Sequence, residues 1–283
     1  MQSVVITGAS TGIGWATAKL LLDRGFRVFG SVRKQADADR LKGEFGANFT
    51  PLLFDVTDEA AVLAAAREVC AALGGETLSG LVNNAGVAVA GPLLELSADQ
   101  FRRQMEVNVM GPVIATQAFA PLLGSDRSLK GKPGRIVMIS SVAGKSGNPL
   151  SSAYVASKHA IEGLSESLRR ELMLFGIDVI TVAPGAVKTP IWAKGDEVDM
   201  SAYSNSPYLP ALEKVRQFTK YLSRIGLPPE KVAERIAQAL TSANPKVRYS
   251  ITPDPMRHLI TAILPKRMVD KIIAKRLGLL PPA

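Results

Sequence analysis

The stretch Thr7–Gly14, "TGASTGIG", follows the β-branched run "SVVIT" (3–7) and opens the helical pattern of residues 13–24. Strand, glycine turn and helix in that order are what a dinucleotide-binding βαβ unit needs. Gly8, Gly12 and Gly14 let the backbone turn tightly and approach a pyrophosphate, whose charge then meets amide donors and the helix dipole. Ser10 and Ile13 sit in the same turn and join the cofactor-binding candidates. A glycine triplet alone is weak evidence, and its place after the first strand is what gives it weight. A P-loop is excluded, because no Gly-Lys-Ser/Thr closes the turn.

Outward from this turn, short apolar runs alternate with helical stretches. The strand candidates are 3–7, 27–31, 49–55, 80–84, 135–140, 178–183 and 247–251; the helical candidates are 13–24, 58–73, 98–123, 151–175 and 229–242. Near-continuous apolar strands need cover on both faces, as in a parallel sheet. Gly25 and Gly176 stand where a helical pattern stops and a strand begins, in "DRG-FRVFG" and "LFG-IDVIT". The alternation predicts an α/β fold: a Rossmann-type, doubly wound, mainly parallel seven-stranded sheet with helices on both faces. No Pro/Gly/Ser-rich linker and no internal repeat divides the chain, so 1–283 reads as one domain. The segment 190–228 breaks the rhythm and reads as an insertion covering a site. Residues 255–283 read as a C-terminal extension with a basic amphipathic helix, to be packed on the domain, joined to a partner or laid on a membrane surface.

Composition narrows the function classes. With 47% hydrophobic and 21% charged residues the chain can bury a sizeable core. A net charge of +9 raises the question of nucleic acid, but the cations are scattered and aromatics are only 6%, too few for base stacking. No apolar run is long enough to span a membrane, and the N-terminus lacks a signal-peptide pattern. One cysteine, Cys70, allows no internal disulfide and fits a cytoplasmic setting; in its helical context it reads as a small hydrophobe. Two histidines and one cysteine, far apart, supply no metal cluster, and no metal is expected.

The second strand ends in "SVRK" (31–34). An acidic residue there would accept hydrogen bonds from the adenosine ribose of NAD. Arg33 instead can pair with the 2′-phosphate of NADP, and Ser10 can donate a further hydrogen bond. NADP(H) is expected over NAD(H).

With the glycine turn, "NNAG" (83–86) and "YVASK" (154–158) in one chain, the sequence resembles the short-chain dehydrogenase/reductase family. The resemblance runs from residue 3 to about 190 and includes "DVTD" (55–58), "NVMG" (108–111), "ISSVAG" (139–144) and "PGAVKTP" (184–190). It implies that Asp55 and Val56 contact adenine and that Asn84 lies beside the cofactor ribose. It also implies that Pro184, Gly185, Val187 and Thr189 line the nicotinamide. The family's catalytic positions fall on Asn108, Ser141, Tyr154 and Lys158. Ser141 is preferred to Ser140 because it lies at the family's usual interval before the tyrosine. The "VFGSVRK" turn and the C-terminal extension resemble the steroid and retinol dehydrogenase groups. The resemblance also implies a homodimer or homotetramer.

The residues support this chemistry on their own terms. Carbonyl reduction needs a hydride on carbon and a proton on oxygen. On a helix, positions i and i+4 share a face, so Tyr154 can hold the proton while Lys158, together with the oxidised nicotinamide, lowers the phenol's pKa and holds the ribose hydroxyls. Val155, Ala156 and Ser157 are spacers in this reading. Ser141 orients the substrate oxygen, and Asn108 distorts its helix and supports a water relay to Lys158. His159 points elsewhere on the helix and reads as a packing residue. The substrate is expected to be an apolar alcohol or carbonyl, touched by Ser141, Tyr154, Ile191 and Trp192. A 3-oxoacyl-thioester reductase is the alternative enzyme. A non-catalytic NADP(H)-sensing protein is the alternative of another class.

Overall fold

The run Val4–Ile6 is buried on every side chain, which requires cover on both faces of the strand. The computed structural model describes residues 1–190, 200–256, 260 and 263–281. In it β1 (Ser3–Ile6), β2 (Arg27–Val32), β3 (Phe49–Leu53), β4 (Gly80–Asn83), β5 (Arg135–Ile139), β6 (Asp178–Pro184) and β7 (Arg248–Ile251) form one sheet. The order is β3-β2-β1-β4-β5-β6-β7, and every pairing is parallel. All seven strand candidates are therefore strands of one sheet. The alternation of side chains splits the core in two. Val4, Ile6, Val28, Val137 and Ile180 face α1 (Gly12–Asp23) and α8 (Pro229–Thr241). Val5, Phe29, Leu81, Ile136 and Val179 face α3 (Glu59–Leu73), α5 (Gly111–Phe119) and α6 (Ser152–Glu171).

Two departures from the sequence reading have local causes. Residues Gln35–Phe45 form a helix, α2, that the periodicity did not announce. Only Ala38 and Leu41 of it are buried, so its apolar stripe is two residues wide. The stretch 98–123 is not one regular helix. It runs as α4 (Ala98–Met105), a π-helical turn (Glu106–Met110), α5, and a second wide turn (Pro121–Ser125) that contains Gly124 at φ +114°. Pro112 has no N–H to give the carbonyl four residues back, at Asn108, and the helix widens there.

The remaining elements build one end of the molecule. α7 (Leu209–Ile225) carries Ala211 and Leu212 into a third, small core with Leu150, and Tyr203, Tyr208, Leu277 and Leu279 pack against it. The last two belong to, or directly follow, α9 (Lys266–Leu277), so one face of the C-terminal helix lies on α7. No described helix is long and apolar enough to cross a membrane. Cys70 is exposed on α3 rather than packed as a small hydrophobe.

Candidate active site

The chain moves outward from β1 through β2 to β3, then returns to the other side of β1 as β4. That reversal opens a crevice at the carboxyl ends of β1 and β4, where such folds place their ligands. Gly8 and Gly12 stand at φ +68° and +59°, a region that favours glycine. A Cβ at Gly14 would lie 2.1 Å from the Gly8 carbonyl oxygen. The turn is stitched to its neighbours by hydrogen bonds. Gly8 N donates to Ser31 Oγ at 2.9 Å, and Asn84 Nδ2 donates to the carbonyls of Thr7 (2.9 Å) and Gly8 (3.0 Å). Thr7 Oγ1 accepts from the Asn84 and Ala85 amides. Arg40 of α2 donates to the Ser10 carbonyl at 2.8 Å. Ile13 turns its side chain toward the core.

The loop after β6 folds back over this turn. Gly185 N donates to Ile251 O at 2.7 Å, Val187 is buried, and a Cβ at Gly12 would meet Thr189 Cγ2 at 3.1 Å. Arg33, more than half exposed, lies 3.8 Å from Asp55. Asp55 in turn accepts from the Thr57 amide and hydroxyl, and Val56 packs against Gly111. A glycine cradle that side chains would fill, with a guanidinium and no carboxylate closing β2, fits a dinucleotide.

At the carboxyl end of β5, Ser141 opens a short 3-10 turn and accepts from Ala143 N at 3.1 Å, while its hydroxyl donates to Pro184 O at 3.3 Å. Ser140 is buried and its hydroxyl has no hydrogen-bond partner. Tyr154 and Lys158 project from one face of α6, with Lys158 Nζ 5.7 Å from the phenol ring centroid and 2.9 Å from Ile139 O, to which it donates. Asn108, in the π-helical turn, is buried. Its Oδ1 accepts from Val87 N at 2.8 Å, and its Nδ2 donates to Val87 O at 3.0 Å and Ser157 Oγ at 3.1 Å. Ser141, Tyr154, Lys158 and Asn108 are thus brought together at one end of the sheet. Leu150, the only described non-glycine residue at positive φ (62°), accepts from Gly91 N at 2.8 Å and fixes the entry into α6.

Burial dominates the electrostatics of the pair. The Tyr154 phenol is pushed up from its ordinary value, because burial disfavours phenolate more than the Ser141 hydroxyl's hydrogen bond favours it. Burial also pushes the Lys158 amine down to about 8, against an opposing pull from Glu162 one turn on. Burial of both groups thus opposes the lowering expected from Lys158 together with the oxidised nicotinamide.

Other sequence candidates fare unevenly. Ile191 and Trp192 lie outside the described residues. His159 has its Nδ1 2.9 Å from Val155 O and is exposed, away from Ser141. Ser157 is not a spacer. It is fully buried, donates to Tyr154 O at 2.7 Å and accepts from Asn108, because small polar side chains fill the space the π-helical turn leaves. Sequence reasoning also missed Gln104, buried and bonded to Val87 O and Val89 N, although its four-residue spacing from Asn108 put both on one face. Glu162, buried and holding Arg248 with bonds of 3.0–3.2 Å, was missed as well.

Comparison with known proteins agrees with this fold. The family model described as short chain dehydrogenase matches residues 2–199. The chain is 38% identical over 278 residues to an NADPH-dependent 3-dehydrocapnine reductase of Ornithobacterium rhinotracheale, covering 98% of each chain. It is 33% identical to human retinol dehydrogenase 5, over 95% of this chain and 87% of that one. A crystal structure of a short chain dehydrogenase/reductase from Burkholderia phymatum in complex with NAD superposes with a TM-score of 0.78 at 26% identity, over 96% of this chain and 95% of that one. The glycine cradle, the parallel sheet and the sequence match converge on one conclusion: the chain belongs to the short chain dehydrogenase family of NAD(P)-dependent oxidoreductases.

Proposed function

We propose that the protein interconverts an apolar alcohol and its carbonyl with NADP(H), using Tyr154 as the acid/base. The observation that carries this reading is the convergence of Ser141 and Lys158, both buried, on the half-buried Tyr154. Bound at the glycine cradle, the nicotinamide supplies or accepts the hydride. Ser141 orients the carbonyl oxygen, its own oxygen already held by the Ala143 amide. Tyr154 gives that oxygen its proton in reduction and recovers one in oxidation. A phenol kept protonated by burial is ready for the first task. Lys158, its Nζ 5.7 Å from the phenol ring centroid, stabilises the phenolate that each reduction leaves behind and is an ammonium from which the proton can be restored. Asn108 and Ser157 are positioning residues that hold the π-helical turn against α6.

Arg33 beside Asp55, with no carboxylate ending β2, supports NADPH over NADH. The lid, 190–228, supports an apolar substrate through Tyr203, whose hydroxyl lies against Gly91, and Tyr208. Two relatives bear the names of a retinol dehydrogenase and a 3-dehydrocapnine reductase, which favours a lipid-like carbonyl. The same reading takes the protein as a cytoplasmic homo-oligomer whose C-terminal extension touches membranes peripherally.

The test is a turnover panel of steroid, retinoid, long-chain 3-oxo and 3-oxoacyl-thioester compounds, read by NADPH absorbance. Turnover of the lipid-like ketones at least about tenfold above the thioester is expected, with kcat/KM for NADPH well above that for NADH. Arg33→Ala should reduce that cofactor ratio about tenfold, the worth of a charge-assisted hydrogen bond. Selective turnover of the thioester, or equal use of both cofactors by the parent, contradicts the reading.

A further inference from the structure

The structure assigns α9 and the chain beside it as a docking face for an anionic lipid bilayer. This deepens the peripheral-contact reading and is independent of the catalytic one, since it is measured without turnover. α9 presents two faces. Val269, Ile273, Ala274 and Leu277 are half-buried toward the body, and Leu277 joins the small core on α7. On the opposite face Met268 and Ile272, one turn apart, are 49% and 55% exposed. Lys271, Lys275 and Arg276 flank them, all exposed. Ile263 (74% exposed) and Leu280 (52%) extend the apolar patch beyond both ends of the helix.

Exposed large apolar side chains ringed by cations are unfavourable in water and suited to a headgroup boundary, where apolar groups enter the acyl layer and lysines meet phosphate. A second observation points to the same ligand. Lys266, at the start of α9, lines a pocket of about 350 Å³ together with Lys145, Arg235 and Arg248. Among the described residues no Asp or Glu lines it. Glu162, buried beside it, is the carboxylate that Arg248 and Lys145 approach, and it leaves the cluster strongly positive. Ser146, Ser250 and Thr252 add hydroxyls. The chemistry of this pocket is that of a phosphate headgroup, and Lys266 ties it to the start of α9.

The experiment is co-sedimentation of the full chain with phosphatidylcholine vesicles, with and without about one third phosphatidylglycerol. Binding to the anionic vesicles only is expected, weakening as NaCl rises from about 50 to 500 mM as surface charges are screened. Met268→Asp with Ile272→Asp should abolish binding while circular dichroism and melting temperature stay those of the parent. Lys145→Gln with Arg235→Gln should weaken it about fivefold or more per cation, and selectively on anionic vesicles. Equal binding to both vesicle types, or unaltered binding by the Asp pair, overturns the assignment. So does light scattering that finds a dimer which the Asp pair dissociates, since a second copy would then cover this face.

Discussion

Lys158 and Ser157 show how the environment, more than the residue type, sets what a side chain contributes. A lysine is an ordinary surface cation until burial pushes its amine down to about 8. Between about pH 8 and the unfolded lysine's higher value, the unfolded chain holds a proton that the folded one has released. Stability therefore rises with pH across that window and carries the full cost of the buried ammonium below it. Lys158→Met should be more stable than the parent below pH 8, by up to on the order of 3 kcal/mol less the lost bond to Ile139 O. The gain should shrink as pH rises toward 10. Urea midpoints from pH 7 to 9.5 measure this, and parallel profiles for the two proteins would count against a depressed Lys158. That Tyr154 and Lys158 share one helix face could be read from their spacing. Ser157 could not, because its importance depends on a widening in a different helix.

Elements carry the constraints that side chains alone do not. The glycine turn works because its backbone comes closer to β4 and to itself than other residues allow. Gly14→Ala would place a methyl 2.1 Å from a backbone oxygen that cannot swing away. The variant should lose several degrees in melting temperature and bind NADPH at least about tenfold more weakly, by fluorescence titration. Parent-like values in both would mean the turn is less confined than its geometry requires. This turn was legible because glycine spacing and strand position coincide. α2 was not, since two buried residues make no periodic signal. With it went Arg40, whose grip on the Ser10 carbonyl only the folded helix reveals. The break at Asn108 had a trace in Pro112, but its π-helical form depends on what packs across from it.

Across the whole molecule, the seven apolar runs specified a parallel sheet because each had to be covered twice. That sheet places the glycine cradle after β1 and Ser141 after β5, with only β4 between them, although the two are far apart in sequence. The lid and C-terminal helix were harder to read, since their amphipathic patterns fit a partner, a membrane or their own domain equally well. α9 uses one face for the domain and leaves the other outward. The central claim, that Tyr154 moves the proton within this assembled site, is tested most directly by Tyr154→Phe. Its kcat should be compared with the parent on the carbonyl turned over fastest, alongside NADPH affinity by fluorescence. A fall of at least about a hundredfold in kcat, with NADPH affinity within about twofold of the parent, is the predicted result. Undiminished turnover with NADPH still bound would contradict it.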